Sequence, residues 1–122
     1  MQPLDAQALL SQALFLDVRE PYEYEAGHIE GSLHIPIGQI QQRWTEVPSD
    51  RPVVVVCQVG QRSGLVAGFL QSRGFDAHNL EGGLDAWSQA GLDLASSDTS
   101  PEVIDGWARD LSGNRLGPTP PR

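Results

Sequence analysis

The chain has 122 residues, of which 39% are hydrophobic and 20% are charged. This composition suits one globular domain and argues against overall disorder. Sixteen acidic residues against eight basic ones give a net charge of −8, which excludes general nucleic-acid binding because phosphate backbones repel such a chain.

Features that the sequence lacks restrict the class of protein further. No apolar run approaches the ~20 residues that cross a bilayer, and the N-terminal residues lack the positive and apolar regions of a secretory signal. One cysteine permits no internal disulfide, and no His, Cys and carboxylate cluster has the spacing of a metal site. We therefore expect a cytoplasmic protein with no cofactor, no metal, no nucleic-acid partner and no membrane partner.

Apolar residues recur at helix and strand spacings in turn along the chain. In chain order, they predict a helix over 5–13 capped by Asp5, a strand over 14–18, a helix over 22–26 opened by Pro21, a strand over 32–35, a helix over 37–46, a strand over 53–56, a helix over 63–73, a strand over 76–80 and a helix over 84–89. The four valines at 53–56 indicate a strand buried on both faces. The alternation predicts an α/β fold of three layers, α/β/α, with a central parallel sheet of about five strands.

The composition changes near the end of the chain, where Ser, Asp, Gly and Pro dominate. We expect one domain over 1–94 and a C-terminal tail over 95–122. Ser100, Pro101 and Glu102 are suited to begin a short helix around 101–111, and the last residues form a proline-rich end.

Cys57 has the strongest chemical context in the sequence. It follows the valine strand, and in parallel sheets this edge binds ligands. A short loop containing Gly60 and the start of a helix come next, so several backbone N–H groups can turn toward the sulfur, and Arg62 adds a positive charge. These features predict a reactive thiolate whose pKa is lowered. The alternative is a lone cysteine that only fills space in the core.

The segment from Cys57 to Ser63, CQVGQRS, resembles the active-site loop of rhodanese-like sulfurtransferases, whose pattern is Cys-x-x-Gly-x-Arg-Ser. LDVRE from Leu16, followed by EY and by GHIEGS from Gly27, resembles the N-terminal signature of that family, and Ile35-Pro36 follows at the expected place. LEGGL from Leu80, with a later tryptophan, resembles the C-terminal signature. The ordered set covers about residues 4–94 and is very specific.

The resemblance implies a sulfurtransferase of the rhodanese type. Such enzymes move a sulfane sulfur from thiosulfate or a persulfide, through a cysteine persulfide, to an acceptor such as cyanide or a thiol. Cys57 would be the nucleophile, and the residues that bind the substrate or the persulfide would be Gln58, Val59, Gly60, Gln61, Arg62 and Ser63. The partners would be a small anionic donor and a thiol or cyanide acceptor, and a protein that donates a persulfide or accepts sulfur is a further candidate.

Two other functions stay open on the same scaffold. Related phosphatases and arsenate reductases carry a loop one residue longer, Cys-x5-Arg, whereas four residues separate Cys57 from Arg62. A non-catalytic module that binds partners is the second alternative, although many such modules lack the cysteine. Gln58 stands where many thiosulfate-active members have Arg or Lys, so a persulfide becomes a stronger candidate donor than thiosulfate.

Charged and small residues outside the loop carry weaker signals. Asp17 and Arg19 share one face of a strand end, so we expect an ion pair that supports the cysteine loop. The acidic residues between Glu20 and Glu25 are expected to form a solvated face. His28 is expected to be a hydrogen-bonded structural residue, and the glycine pair that begins at Gly82 to allow close approach of the backbone to the cysteine.

Overall fold

A computed structural model describes residues 1–95 of the chain. Its α-helices and β-strands, in chain order, are α1 (Pro3–Gln7), β1 (Leu14–Asp17), α2 (Pro21–Ala26), β2 (Leu33–His34), α3 (Ile40–Arg43), β3 (Val53–Val56), α4 (Gln61–Ser72), β4 (Ala77–Asn79) and α5 (Gly83–Gln89). Single 3-10 turns at Ile37–Gln39 and Trp44–Glu46 flank α3. The predicted tail helix around 101–111 and the proline-rich end lie outside the described residues.

The strands form one parallel sheet in the order β2-β1-β3-β4. Its register sets Leu16 opposite both Leu33 and Val55, and Val54 opposite His78. The predicted α/β class with a parallel sheet is confirmed. The sheet was expected to have about five strands, and it has four within residues 1–95. These are the four strands that were located in the sequence, and no further segment of this range pairs with the sheet.

The valine strand shows why both faces of the sheet are covered. Successive side chains of a strand point to opposite faces, so Val53 and Val55 belong to a core with α3 and α4, and Val54 belongs to a second core with α1 and α5. Trp87 is buried in the second core and packs edge-on against Phe15. Helices therefore lie on both sides of β3, as the continuous apolar run predicted.

Several predicted helices have different boundaries. Helix α1 begins at Pro3, with Asp5 inside its first turn rather than at the cap. The predicted helix over 37–46 is interrupted at Arg43, whose φ of −123° and ψ of 4° leave the helical region. Trp44 then packs edge-on against Phe69 and a second phenylalanine, so tertiary packing outweighs the helical spacing of the apolar residues.

Helix α4 turns only some of its apolar residues toward the sheet. Val66 and Leu70 are buried against β3, whereas 73% of Leu65 is exposed. Adjacent helical residues lie about 100° apart, so one contact with the sheet cannot cover all of them.

Within residues 1–95, no helix is both long and apolar enough to span a bilayer.

Candidate active site

Cys57 lies where the central strand β3 ends at the carboxyl edge of the sheet. The chain turns sharply at Gly60, whose φ of 100° is in the left-handed region that favours glycine. A Cβ atom at Gly60 would lie 3.2 Å from the backbone N of Gly82. The glycine therefore lets the loop close tightly before α4 begins at Gln61.

The sulfur of Cys57 sits within a ring of hydrogen-bond donors. The backbone N–H of Gly60 donates to Sγ at 3.1 Å, and Ser63 donates both its N–H at 3.3 Å and its hydroxyl at 3.2 Å. Burial of the thiol raises its pKa, but the hydrogen bonds from Ser63, Gly60 and Val59 outweigh burial, so the pKa of Cys57 is lowered. The side chain has no exposed surface, and the three hydrogen bonds to Sγ favour the thiolate form of Cys57 over the neutral thiol.

Arg62 forms an ion pair that sequence reasoning missed. Its two Nη atoms donate to the two carboxylate oxygens of Glu23 at 2.8 and 2.9 Å. The expected solvated face between Glu20 and Glu25 is therefore wrong for Glu23, because α2 turns this carboxylate toward the cysteine loop. The hydrogen bond with Arg62 lowers the pKa of Glu23 to about 2. The pairing raises the pKa of Arg62, and the charge of Cys57 contributes to that rise.

Asp17 and Arg19 form a buried, bidentate pair at the end of β1. The guanidinium donates to both carboxylate oxygens of Asp17, the shortest distance being 2.8 Å, and both side chains are buried. Arg19 also donates to Oε1 of Gln58 at 3.2 Å and to the carbonyl of Gly27 at 2.7 Å. The pair thus connects the N-terminal signature directly to the residue that follows Cys57.

Gln58 is held from its other end as well. Its Nε2 donates to Oδ1 of Asp85 at 2.6 Å, so the amide spans from Arg19 to a carboxylate at the start of α5. Val59 is 54% exposed and lies at the surface of the loop, and Gln61 begins α4. The structure thus places the Ser63 side chain against the sulfur and fixes the Gln58 side chain between Arg19 and Asp85, while the Val59 side chain is exposed.

Asn79 is a second residue that sequence reasoning did not identify. It ends β4, beside Cys57 at the carboxyl edge of the sheet. Its Nδ2 donates to the carbonyl of Gly60 at 3.0 Å, and its Oδ1 accepts the hydroxyl of Ser63 at 2.5 Å. Asn79 therefore holds both ends of the donor ring. The signal available in the sequence was a polar side chain at the end of a predicted strand.

Helix α5 closes the site from the other side, as the glycine pair predicted. Gly83 has a φ of 62°, and a Cβ there would lie 2.4 Å from the carbonyl oxygen of Gln58. The N–H of Leu84 donates to the carbonyl of Cys57 at 2.9 Å, and that of Asp85 donates to the carbonyl of Gln58 at 3.1 Å. These bonds satisfy N–H groups of the first turn, which has no side-chain cap.

His28 has the structural environment expected from the sequence. Its Nδ1 lies 2.7 Å from the carbonyl of Tyr24, and its ring stacks on that tyrosine at 3.8 Å. His34 stacks on Tyr24 from the other side at 4.3 Å. The contacts of these two imidazoles serve packing between α2 and β2 and do not involve the sulfur.

Fold and site together define an α/β protein with a buried, hydrogen-bonded cysteine in a loop at the carboxyl edge of a parallel sheet. The family described as the rhodanese-like domain matches residues 2–90. The chain therefore belongs to the rhodanese-like family, as its three sequence signatures predicted.

Individual relatives support the same assignment. The chain is 44% identical over 77 residues to the uncharacterized protein YqhL of Bacillus subtilis, a match that covers 62% of this chain and 61% of YqhL. It is 39% identical over 87 residues to the thiosulfate sulfurtransferase GlpE of Pseudomonas syringae, covering 70% of this chain and 82% of GlpE. The crystal structure of a rhodanese-related protein from Thermoplasma volcanium superposes with a TM-score of 0.76 at 30% identity, covering 78% of this chain and 95% of that one.

Proposed function

We propose that this chain is a sulfurtransferase in which Cys57 carries the sulfur as a persulfide. The observation that carries the proposal is the ring of donors around Sγ: the N–H of Gly60 and the N–H and hydroxyl of Ser63. Such donors stabilise negative charge on sulfur where water is excluded. The relative named as a thiosulfate sulfurtransferase, at 39% identity, supports the same reaction class.

The reaction divides into two displacements at sulfur. In the first, the Cys57 thiolate attacks the outer sulfur of thiosulfate, a new S–S bond forms, and the old S–S bond breaks to release sulfite with its electron pair. In the second, cyanide or a thiolate attacks the outer sulfur of the persulfide and leaves with it. The Cys57 thiolate is regenerated, and no net oxidation of the protein occurs.

The residues of the cysteine loop have different roles in this mechanism. Gly60 and Ser63 hold the charge on the sulfur, while Gln61 and Val59 contribute the backbone that shapes the ring. Within the described residues, Arg62 donates its hydrogen bonds to Glu23 rather than to Sγ; its guanidinium interacts with Cys57 through electrostatics that the paired Glu23 carboxylate offsets. Because Cys57 is buried, only a donor whose outer sulfur is narrow enough to enter the loop can react.

Asp17 and Arg19 are positioning residues in this proposal. Their buried pair anchors Gln58 through the 3.2 Å hydrogen bond from Arg19 to Oε1.

The domain limits of 1–94 and 95–122 and the cytoplasmic location stay predictions.

The direct test follows the sulfur itself. We expect incubation with thiosulfate to add the mass of one sulfur atom to the protein, and cyanide to remove that mass as thiocyanate. Cys57→Ser should abolish both signals, and its far-ultraviolet circular dichroism should match the wild type. Thiocyanate formation by a folded Cys57→Ser protein would refute the proposal.

The phosphatase alternative is tested in the same preparation. Hydrolysis of an aryl phosphate that depends on Cys57, in a protein that forms no persulfide, would favour a phosphatase. The short Cys-x4-Arg spacing predicts no such hydrolysis. A folded wild-type protein with neither activity would favour the non-catalytic partner-binding module.

A further inference from the structure

A cavity of about 350 Å³ opens beside the cysteine loop, between α2 and the start of α5. Much of its wall is apolar, and the side chains of Tyr22, Ala26, Leu84 and Leu94 contribute to it. Tyr22 is 74% exposed and Leu94 is 38% exposed, so a ligand in the cavity would bury carbon that now faces water. Gln58, the residue that follows Cys57 in the loop, also lines the cavity.

The charges around this cavity do not favour a dianion. Among the described lining residues, Arg19 is the one cationic side chain, and its buried carboxylate partner neutralises it. Glu23 also lines the cavity and neutralises Arg62, and with a pKa of about 2 it is ionised at neutral pH. Asp85 accepts a hydrogen bond from Gln58, so a further carboxylate lies next to this cavity residue.

Resting on the sulfurtransferase activity proposed above, we propose that the donor for this site is a monoanionic sulfane-sulfur compound with an apolar substituent, which the cavity beside Gln58 binds. Glu23 and Asp85 are its specificity-determining residues: Glu23 cancels the charge of Arg62 that would otherwise attract a dianion, and Asp85 adds a negative charge next to Gln58. A thiosulfate dianion meets twice the electrostatic penalty of a monoanion and has no carbon to bury.

An organic thiosulfonate, R–SO2–S⁻, is a monoanionic donor of this class. The Cys57 thiolate attacks the terminal sulfur and forms the persulfide bond. The bond between the two sulfurs of the donor breaks, and its electron pair leaves with the sulfinate, R–SO2⁻. Two negative charges are present before and after the step, and neither an oxidant nor a reductant is needed.

A comparison of three sulfur donors distinguishes the effect of donor charge from the effect of apolar contact. Thiosulfate is a dianion, methanethiosulfonate is a monoanion with one methyl group, and benzenethiosulfonate is a monoanion with an aromatic ring. With cyanide as the acceptor, we expect kcat/KM to rise in that order. Thiosulfate as the best of the three would overturn the inference while leaving the sulfurtransferase intact, whereas failure of every donor to form a Cys57 persulfide would refute the proposed function as well.

A cavity-filling variant removes the effect of intrinsic donor reactivity. Ala26→Trp places a large ring in the cavity from the exposed end of α2. We expect it to lower kcat/KM for benzenethiosulfonate about tenfold and for methanethiosulfonate by much less, because a methyl group buries less carbon than an aromatic ring. The matched control is Ala8→Trp, an exposed position outside the cavity wall, which should change none of the donors. An equal loss for both thiosulfonates in Ala26→Trp would overturn the inference.

Removal of either carboxylate should change the preference of the enzyme between a dianionic and a monoanionic donor. Asp85→Asn and Glu23→Gln each remove one negative charge, and glutamine at position 23 can still accept the capping bond from the N–H of Glu20. Because Coulomb energy scales with ligand charge, the fold increase in kcat/KM for thiosulfate should be about the square of the increase for methanethiosulfonate. Equal increases, or none for thiosulfate in both variants, would contradict the role of the two carboxylates.

Discussion

Removal of the Ser63 hydroxyl tests the origin of the thiolate most directly. In Ser63→Ala, Sγ of Cys57 loses the donor at 3.2 Å but keeps both backbone N–H groups. A hydrogen bond to a charged group contributes ~1.5–3 kcal/mol. Because Asn79 accepts the same hydroxyl at 2.5 Å, the single proton is shared and we take the lower end of that range. The variant should therefore have a higher Cys57 pKa and about tenfold less thiolate at any pH where the thiol dominates.

The assay is a titration of the ultraviolet thiolate absorbance, which is specific because the chain has one cysteine. Alkylation rates alone would understate the change, since a thiolate of higher pKa is intrinsically more nucleophilic. Ser72→Ala is the control, because this exposed hydroxyl lies on the same helix and donates to the carbonyl of Phe69. A titration curve that stays in place in Ser63→Ala, or that moves to acid pH, would refute the reasoning.

Three further predictions follow from the charges and the close packing of the site. Gln58→Arg should lower KM for thiosulfate because it adds a cation at the residue next to Cys57, and an unchanged or higher KM would count against this. Gly83→Ala should lower the free energy of unfolding by about 3 kcal/mol or more, since its Cβ would lie 2.4 Å from a carbonyl oxygen at a positive φ. Gly68→Ala is its control, because nothing lies within 4 Å of the added Cβ, and chemical denaturation should show stabilisation by ~0.5–1 kcal/mol. Glu23, with a pKa of about 2 against 4.5 unperturbed, should stabilise the fold fully above pH 4.5 and lose that contribution as the pH falls toward 2. The stability difference between wild type and Glu23→Gln should shrink over the same range, and a constant difference would show that the ion pair with Arg62 contributes nothing.

The sequence alone predicted those features that depend on residues within a single strand, loop or helix. Four consecutive valines predicted the buried central strand, because a run without polar residues is stable only with both faces covered. The position of Cys57 after that strand, followed by Gly60 and a helix, predicted the donor ring, since its N–H groups belong to residues 60 and 63, close along the chain. Pro21 likewise marked the start of α2, because its fixed φ suits the first helical turn.

The tertiary structure decided what depends on residues far apart in sequence. Glu23 pairs with Arg62 across 39 residues, and Asn79 holds Ser63 across 16. The run of acidic residues on α2 indicated a solvated face, since nothing in a short helix shows which of its carboxylates meets a cation from another element. Sequence thus determined the rhodanese-like fold and the position of the cysteine after β3, and the reactivity of that cysteine stays a prediction. Only the packing of α2, β4 and α5 around the loop decided which charges surround that sulfur, because those charges come from separate elements that the folded sheet brings to one edge.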